Sequence, residues 1–556
     1  MEIYSETRSE NARPARRKQS ALSSAAKALF TRGKKTPRAE TAQEKRNAAS
    51  EARLGGEGAA PRKRPPLFSA FFRRASAAFR SPGVSKVSGK MNETIASART
   101  LSARAKKIAL AVATLALLGV CAAVFAGYRN SYRHVENAPL LSADEQARLD
   151  ALLDEKYALW RSDVLKPLPY PVSPVDLDVW AESAILIDAA NGCVLFEKNA
   201  DALIPPASLA KMFVMYVVLK DVRAGIVSLD DVVSLPERSW AVNMPSDSSL
   251  MFLGQGQIVT LRELMLGLAV ASGNDAAIAI ARHISGGTDE FVRRMNEECA
   301  ALGLANTRFV EPSGYDENNV TTARELAAFA RVYVGRYPES ISDFHSKRSI
   351  RYPLEKNLPS WQKSAGDSKA VFQRNTNPLL GEMDGVDGIK TGFIYESGYN
   401  LALTAQRNGT RFISVTMRGP GRGSRQGNEG RVHDGHEMMD FAFGAFADYD
   451  PKEHIGLSFP VAVPGGQEKF ARLVPAWTNA LSVPHIAGGE DAAADARSVR
   501  AVVTMPRSIY KETEIGAEYG KIQYVLGGTV LEEVPLVCDR SVQKGGLWKR
   551  FWGFWL

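Results

Sequence analysis

The sequence predicts an α+β domain followed by a small all-β domain, and three observations lead there. Strand-like runs lie at both ends of one long segment: AILIDAANGCVLFEKN (184–199) on one side, YNLALTAQR (399–407) and TRFISVTM (410–417) on the other. Between them, helical periodicity runs over 208–222, 261–285 and 289–302, so a single antiparallel sheet has to join segments far apart in the chain. Past residue 455 the pattern changes to short β-like runs such as ARLVPAW, RAVVTM and KIQYVLGGTVLEEVPLV with turn residues between them, which reads as a separate β domain over 455–543.

The chain has 556 residues, too many for one ordinary domain. Its net charge of +9 is unevenly placed. Residues 1–107 hold 25 Lys and Arg against 8 Asp and Glu, leaving 45 against 53 in the rest, so the tail carries +17 and the remainder −8. A basic nucleic-acid-binding globule is thereby excluded. The tail (1–107), with stretches such as RPARRKQS and PRKRPP, has too few aliphatic residues to offset chain entropy and is expected to be disordered and cytoplasmic. Met91 opens a shorter reading frame that would omit most of it.

Ile108 to Tyr128 is uncharged over 21 residues, enough to cross a hydrocarbon core of ~30 Å. Lys106 and Lys107 precede it, so the positive-inside rule places the chain beyond residue 128 outside the cytoplasm. Two readings stay open: an uncleaved anchor over 108–128, or a long signal peptide cleaved after Val124-Phe125-Ala126. Residues 129–178 come next. Ser142 and Glu145 form a capping box for a helix over 142–161, which is either a stalk or a helix packed on the body, and PLPYPVSP (167–174) reads as a stiff linker. The main domain is expected over 179–450, its first hairpin turning at Asn191-Gly192. At the other end, LWKRFWGFWL within 544–556 mixes aromatic rings with Lys549 and Arg550, a composition suited to a membrane–water boundary.

The cysteines Cys121, Cys193, Cys299 and Cys538 form no C-x-x-C pair, so neither a disulfide framework nor a zinc site is expected. His433 and His436 flank Asp434-Gly435 at a ligand-like spacing but read as ordinary histidines, and no metal is expected.

The chemistry is carried by IPPASLAKMF (204–213), which sets Ser208 and Lys211 three apart, on one face of a helix. A serine hydroxyl needs a base within hydrogen-bond reach. A lysine can be that base when burial or nearby positive charge lowers its pKa, and the apolar run after Lys211 provides burial. The start of the helix also points amide groups toward a developing oxyanion. S-x-x-K alone is common by chance. Here Ser272-Gly273-Asn274 and Lys390-Thr391-Gly392 come after it in order, and that trio belongs to penicillin-binding proteins and class A β-lactamases.

Around these motifs, residues 180–445 closely resemble the D-alanyl-D-alanine carboxypeptidases among low-molecular-mass penicillin-binding proteins, whose catalytic domain has the penicillin-binding-protein/β-lactamase fold. IYKETEIGAEYGKIQYVLGGTVLEEVPLV resembles their following β domain and the aromatic tail their membrane anchor. The resemblance implies hydrolysis of peptidoglycan stem peptides ending in D-Ala-D-Ala, covalent inhibition by β-lactams and no cofactor. It implies that Ser208 attacks the carbonyl, Lys211 takes its proton, Ser272 relays a proton to the leaving D-alanine, Asn274 holds the substrate amide and Lys211, and Lys390 keeps Lys211 neutral. Thr391 and Gly392 would line the carboxylate subsite, and the amides of Ser208 and Phe393 the oxyanion hole. The family arginine 35 positions past the motif lysine falls on Arg425, with Arg422 close by. Ile394 departs from K-T-G-x-T, which removes a hydroxyl near the acyl site. The alternatives are a DD-endopeptidase, a β-lactamase, for which no E-x-x-L-N element is found, and a non-catalytic sensor or scaffold.

Overall fold

The computed structural model describes residues 103–133, 140–158, 165–172, 175–364, 370–454, 456–485, 499–510 and 512–546. Most of the basic tail, the aromatic end from 547 onward and the Arg-rich segments before 103 lie outside the described residues.

Helix α1 (Ala103–Arg133) contains, over Ala103–Ala123, a stretch long and apolar enough to cross a membrane. It is the start of the expected 108–128 segment, with Ile108, Leu110, Leu115 and Leu117 exposed. Helix α2 (Ala143–Ala158) opens on the expected capping box: Glu145 accepts from the Ser142 amide at 2.9 Å, and Ser142 Oγ from the Glu145 amide at 3.4 Å.

The main sheet has six strands: β1 (Lys166–Pro167), β2 (Ser183–Asp188), β3 (Cys193–Lys198), β4 (Val386–Ile394), β5 (Gly398–Arg407) and β6 (Thr410–Gly419), in the order β1-β3-β2-β6-β5-β4. Every pairing is antiparallel except β1 with β3, so the sheet is mixed rather than purely antiparallel. The parallel strand comes from the start of the proline-rich stretch, which joins the sheet edge instead of spanning open space. Proline is tolerated there because an edge strand leaves one side unpaired. The β2–β3 hairpin turns through residues 189–192, with Gly192 at φ +76° and the Asn191 side chain bonded to Asp188.

Helices cover both faces of the sheet. Ile185 and Ile187 of β2 point to a core shared with α3 (Lys211–Arg223) and α5 (Ala323–Arg336), which includes Phe213 and Phe329. Ala184 and Leu186 point the other way, toward Met438, Met439 and Phe441 of α6 (Ser424–Ala445). Strand alternation explains why β2 is apolar along its whole length: both faces are buried. The helix expected over 261–285 is two helices, Leu261–Leu266 and α4 (Asn274–Ser285), split by a widened turn over Gly267–Ala271 and by Ser272 in the left-handed region at φ +58°.

Beyond α6, β7 (Phe446–Tyr449) pairs with β10 (Leu481–Pro484) as a two-stranded ribbon. β8 (Phe459–Ala462), β9 (Phe470–Pro475), β11 (Arg500–Thr504), β12 (Glu518–Leu526) and β13 (Thr529–Cys538) form a five-stranded antiparallel sheet in the order β8-β9-β13-β12-β11. Helix α2 packs on this β domain: Leu149, Leu153 and Tyr157 are buried with Leu473, Trp477 and Tyr524. Tyr157 donates to Glu518 at 2.6 Å, and its ring lies 5.6 Å from Trp477. Of the two readings for this segment, the described helix matches packing rather than a free stalk.

Candidate active site

Ser208 sits on a single tight turn, Ala207–Ala210, from which α3 starts at Lys211. Pro206, its φ fixed near −68°, already lies in the helical region and leads into the turn. Ala207 takes φ +50°, and Gly314, itself at φ +80°, lies so close that a Cβ there would stand 1.8 Å from the Ala207 carbonyl oxygen. Only glycine permits that approach, and it clamps the nucleophile's turn from outside.

Lys211 is wholly buried beneath Ser208. Its Nζ donates to Ser208 Oγ at 2.8 Å, to Asn274 Oδ1 at 2.8 Å and to the Ser313 carbonyl. Three acceptors match the three N–H groups of an ammonium. A neutral amine would keep two for Asn274 and Ser313 and turn its lone pair to the serine. Burial brings the Lys211 amine down to about 7, while the carboxylates of Glu311 and Asp275 oppose that shift.

Ser272 and Asn274 are buried at the head of α4. The αL conformation at Ser272 breaks the preceding helix, so the motif stands at a helix start rather than mid-helix. The Asn274 amide donates to the Ser249 carbonyl at 2.8 Å.

Strand β4 brings Lys390, Thr391, Gly392 and Phe393 to the same place as the sheet's edge. A Cβ on Gly392 would lie 2.7 Å from the Pro206 carbonyl and 3.1 Å from the Ser208 nitrogen, so glycine lets the edge strand lie against the nucleophile turn. Lys390 is buried and donates to the Thr391 carbonyl at 2.9 Å. Burial lowers its amine first, then the neighbouring Lys211, then Arg431. Two amines so close in a low-dielectric site disfavour both being charged. Thr391 Oγ1 donates to Thr376 Oγ1 at 2.7 Å. Phe393 is 40% exposed on the outer side, stacked on Tyr399 at 4.4 Å, and Ile394 ends the strand.

Arg425 is not brought to this site. Its side chain is 92% exposed in the first turn of α6 and pairs with Glu429. The cation that does reach β4 is Arg431, which sequence reasoning missed. It is buried, donates to the Gly392 carbonyl at 2.5 Å and to the Asn400 carbonyl at 3.1 Å, and lies over the Tyr399 ring. Burial lowers its guanidinium to about 10. The signal was present: Gly427, Arg431, Asp434 and Met438 form a buried stripe at helical spacing, and an arginine within such a stripe faces the core. The Ser313 carbonyl, Gly314, Glu311 and Asp275 were also missed, because their roles arise only from close approach.

His433 stacks on Trp180 at 4.0 Å and contacts Asp178 and Asp434, whereas His436 contacts Glu382 and Asp440, so the two do not converge on one point. Among the described residues no cluster fit to hold a metal occurs. A cavity of about 650 Å³ lined by Leu165, Phe196, Phe441 and others lies away from Ser208, so chemistry rather than volume locates the site.

The profile of the D-alanyl-D-alanine carboxypeptidase family matches residues 171–421, and that of the penicillin-binding protein 5 C-terminal domain matches 490–544. D-alanyl-D-alanine carboxypeptidase DacF of Bacillus subtilis is 30% identical over 379 residues, 67% of this chain and 90% of its own length. DacA of Haemophilus influenzae is 30% identical over 381 residues, covering 68% of this chain and 89% of that one. A D-alanyl-D-alanine endopeptidase of Pseudomonas aeruginosa is 30% identical over 252 residues, 44% of this chain. Among solved structures, penicillin-binding protein 5 from Haemophilus influenzae superposes with a TM-score of 0.56 at 29% identity, covering 67% of this chain and 100% of that one.

Proposed function

Because the chain belongs to the D-alanyl-D-alanine carboxypeptidase family and is a serine-type, penicillin-binding carboxypeptidase of D-Ala-D-Ala peptides, we propose that Ser208 is its nucleophile and Lys211 the base that activates it. The observation that carries this is the Lys211 amine, buried, shifted to about 7 and 2.8 Å from Ser208 Oγ.

Ser208 Oγ attacks the carbonyl carbon between the two D-alanines as its proton passes to Lys211. The amides of Ser208 and Phe393 receive the oxyanion that forms. On collapse the C–N bond breaks, and the proton travels through Ser272 to the departing amine, leaving an ester on Ser208. Water then attacks that ester, gives a proton back through the same groups, and frees the shortened peptide as its carboxylate. In a β-lactam the broken C–N bond lies in a ring, so the leaving amine stays tethered and the ester persists.

Asn274 holds the Lys211 amine and the substrate amide. Lys390 sets a second buried amine near Lys211; burial first, then Lys211 and Arg431, lower it well below its usual value, so the two amines do not both carry charge. Thr391 faces the terminal carboxylate. Arg431, not Arg425, is the guanidinium that supports this subsite, because it bonds the backbone of β4 from behind. The endopeptidase reading is less favoured, since that relative matches over 252 residues, whereas the carboxypeptidases DacF and DacA match over 379 and 381. The apolar helix over 103–123 tethers the chain to the inner membrane with the catalytic domain outside the cytoplasm, and the aromatic C-terminal stretch lies at the membrane surface.

Labelling with a fluorescent penicillin, followed by mass spectrometry of the tagged peptide and a parallel D-alanine release assay, tests this. The tag is expected on Ser208, and Ser208→Ala is expected to abolish both signals. Residual D-alanine release by Ser208→Ala would overturn the assignment.

A further inference from the structure

We propose that Asp275 is a positioning residue of this active site: its buried carboxylate holds the 249–253 loop against the Ser272–Asn274 element and sets an anion beside Lys211. This rests on Lys211 being the base.

Asp275 is wholly buried at the head of α4, next to Asn274. Its Oδ1 accepts from the Met251 amide at 2.8 Å and from its neighbour Ala276 at 2.9 Å; its Oδ2 accepts from the amides of Phe252 at 2.9 Å and Leu253 at 3.0 Å. Three successive loop amides thus converge on one carboxylate. That convergence has a conformational requirement. Phe252 takes φ +74°, a region that bulky side chains avoid, and aiming its amide and both neighbours at one point holds it there. The loop is tied down at two further points: the Ser249 carbonyl accepts from the Asn274 amide at 2.8 Å, and a Cβ on Gly273 would lie 2.9 Å from the Met251 nitrogen.

The segment just before the loop also reaches the 313–315 turn. Its Asp247 accepts from the Tyr315 hydroxyl at 2.9 Å. Tyr315 follows Gly314, which presses on the Ala207–Ser208 backbone, and Ser313, whose carbonyl binds Lys211. The segment held by Asp275 therefore runs from the Asn274 side of the site to the wall beside the nucleophile. Moving it would move substrate relative to Ser208.

The same carboxylate bears on the base. Lys211 feels two anions that favour its charged form, Glu311 from the 311–316 loop and Asp275 from α4; the buried amine of Lys390 on β4 also faces it, with its own charged form disfavoured by burial first, then by Lys211 and Arg431. Glu311 is held by the Ser313 amide and hydroxyl and by Asn319. Tyr352 also faces Asp275, and its phenol is pushed up by burial and then by Glu263 and Asp275. Burial raises the Asp275 carboxyl above its usual value, and the four amides pull against that. Removing the anion removes one of two influences that keep Lys211 protonated, so the base should become neutral at lower pH.

The test compares the full chain in detergent with Asp275→Asn and Asp275→Glu, reading the pH dependence of acylation by a fluorescent penicillin, kcat and KM on a D-Ala-D-Ala peptide, and thermal melting. For folded Asp275→Asn, the acid limb of acylation is expected to move down by about half a pH unit or more, and KM to rise about tenfold with a smaller change in kcat. Asp275→Glu keeps the charge but displaces the acceptors; its acid limb should stay in place while KM rises about fivefold. It remains the test if the asparagine variant does not fold. A variant that melts lower yet keeps both its acid limb and its KM would reduce Asp275 to a structural role and overturn the proposal. Lys211→Ala is run alongside. Wild-type acylation there would mean that the assignment of the base has failed; loss of acylation there, with wild-type behaviour in both Asp275 variants, would mean that only the positioning role has failed.

Discussion

Lys211 and Ser208 would be an ordinary surface pair but for burial, which brings the amine to about 7, the range the proposed role of base requires at neutral pH. The arginine beneath the carboxylate subsite is a second case where position in space decides. Arg425 and Arg431 are six residues apart on α6, which at 100° per residue turns one to solvent and the other beneath β4. Arg425→Ala should leave kcat/KM within about twofold of wild type, since an exposed i,i+4 pair contributes little. Arg431→Lys keeps the charge but loses the fork that reaches two carbonyls, and should lower kcat/KM about tenfold, mainly through KM. Steady-state kinetics on a D-Ala-D-Ala peptide separates them, and the reverse ranking would restore Arg425. Ser208, Lys211, Ser272, Asn274 and Lys390 were legible because short motifs keep their local spacing. The arginine was not, because an offset counted along the chain takes no account of which way a helix faces.

At the scale of elements, the site depends on an edge strand. Among the described residues β4 pairs only with β5, and its other side lies against the Ala207–Ala210 turn, with Gly392 and Gly314 allowing backbone to approach from two directions. The interrupted helix over 261–285 obeys the same logic. Apolar periodicity continues through 267–271, so the sequence reads as one helix; the break at Ser272 starts a new helix whose first residue, Asn274, bonds to Lys211. Helix α2 shows the opposite case, in which an amphipathic pattern was clear but its partner was not. Leu149 and Leu153 are buried in the β domain, some 300 residues further along the chain. Leu153→Ala should cost about 2–5 kcal/mol of β-domain stability in chemical denaturation while leaving penicillin acylation at the wild-type rate. A loss below about 0.5 kcal/mol would show that the helix does not hold that position in solution.

At the scale of the molecule, the main sheet meets the β7–β10 ribbon at a buried polar junction. Asp188 at the end of β2 accepts from Asn191 at 2.7 Å and from Ser482 of β10, and the buried carboxyl of Asp448 on β7 feels its charge. Burial, then the charge of Asp188, pushes the Asp448 carboxyl up to about 9. The folded chain thus keeps a proton that the unfolded chain releases above about 4. The contribution is fully present below that pH and is lost as the pH rises toward 9. Thermal melting of the wild type should therefore decline across roughly pH 5–9. Asp448→Asn, which cannot ionise, should flatten that decline; an equally steep decline in the variant would rule out the Asp448 carboxyl as its source.

The sequence by itself determined the α+β class, the later β domain, the apolar helix near the N-terminus and the three ordered motifs that hold Ser208, Lys211, Ser272, Asn274 and Lys390, because periodicity, turn residues and short motifs are local and survive in one dimension. Only the tertiary structure decided the mixed character of the sheet, the docking of α2, the burial of Arg431 against β4 with Arg425 left exposed, and the convergence of three loop amides on Asp275. Each of these depends on which backbone lies within hydrogen-bond distance of which side chain across tens to hundreds of residues, and on how much water that packing excludes.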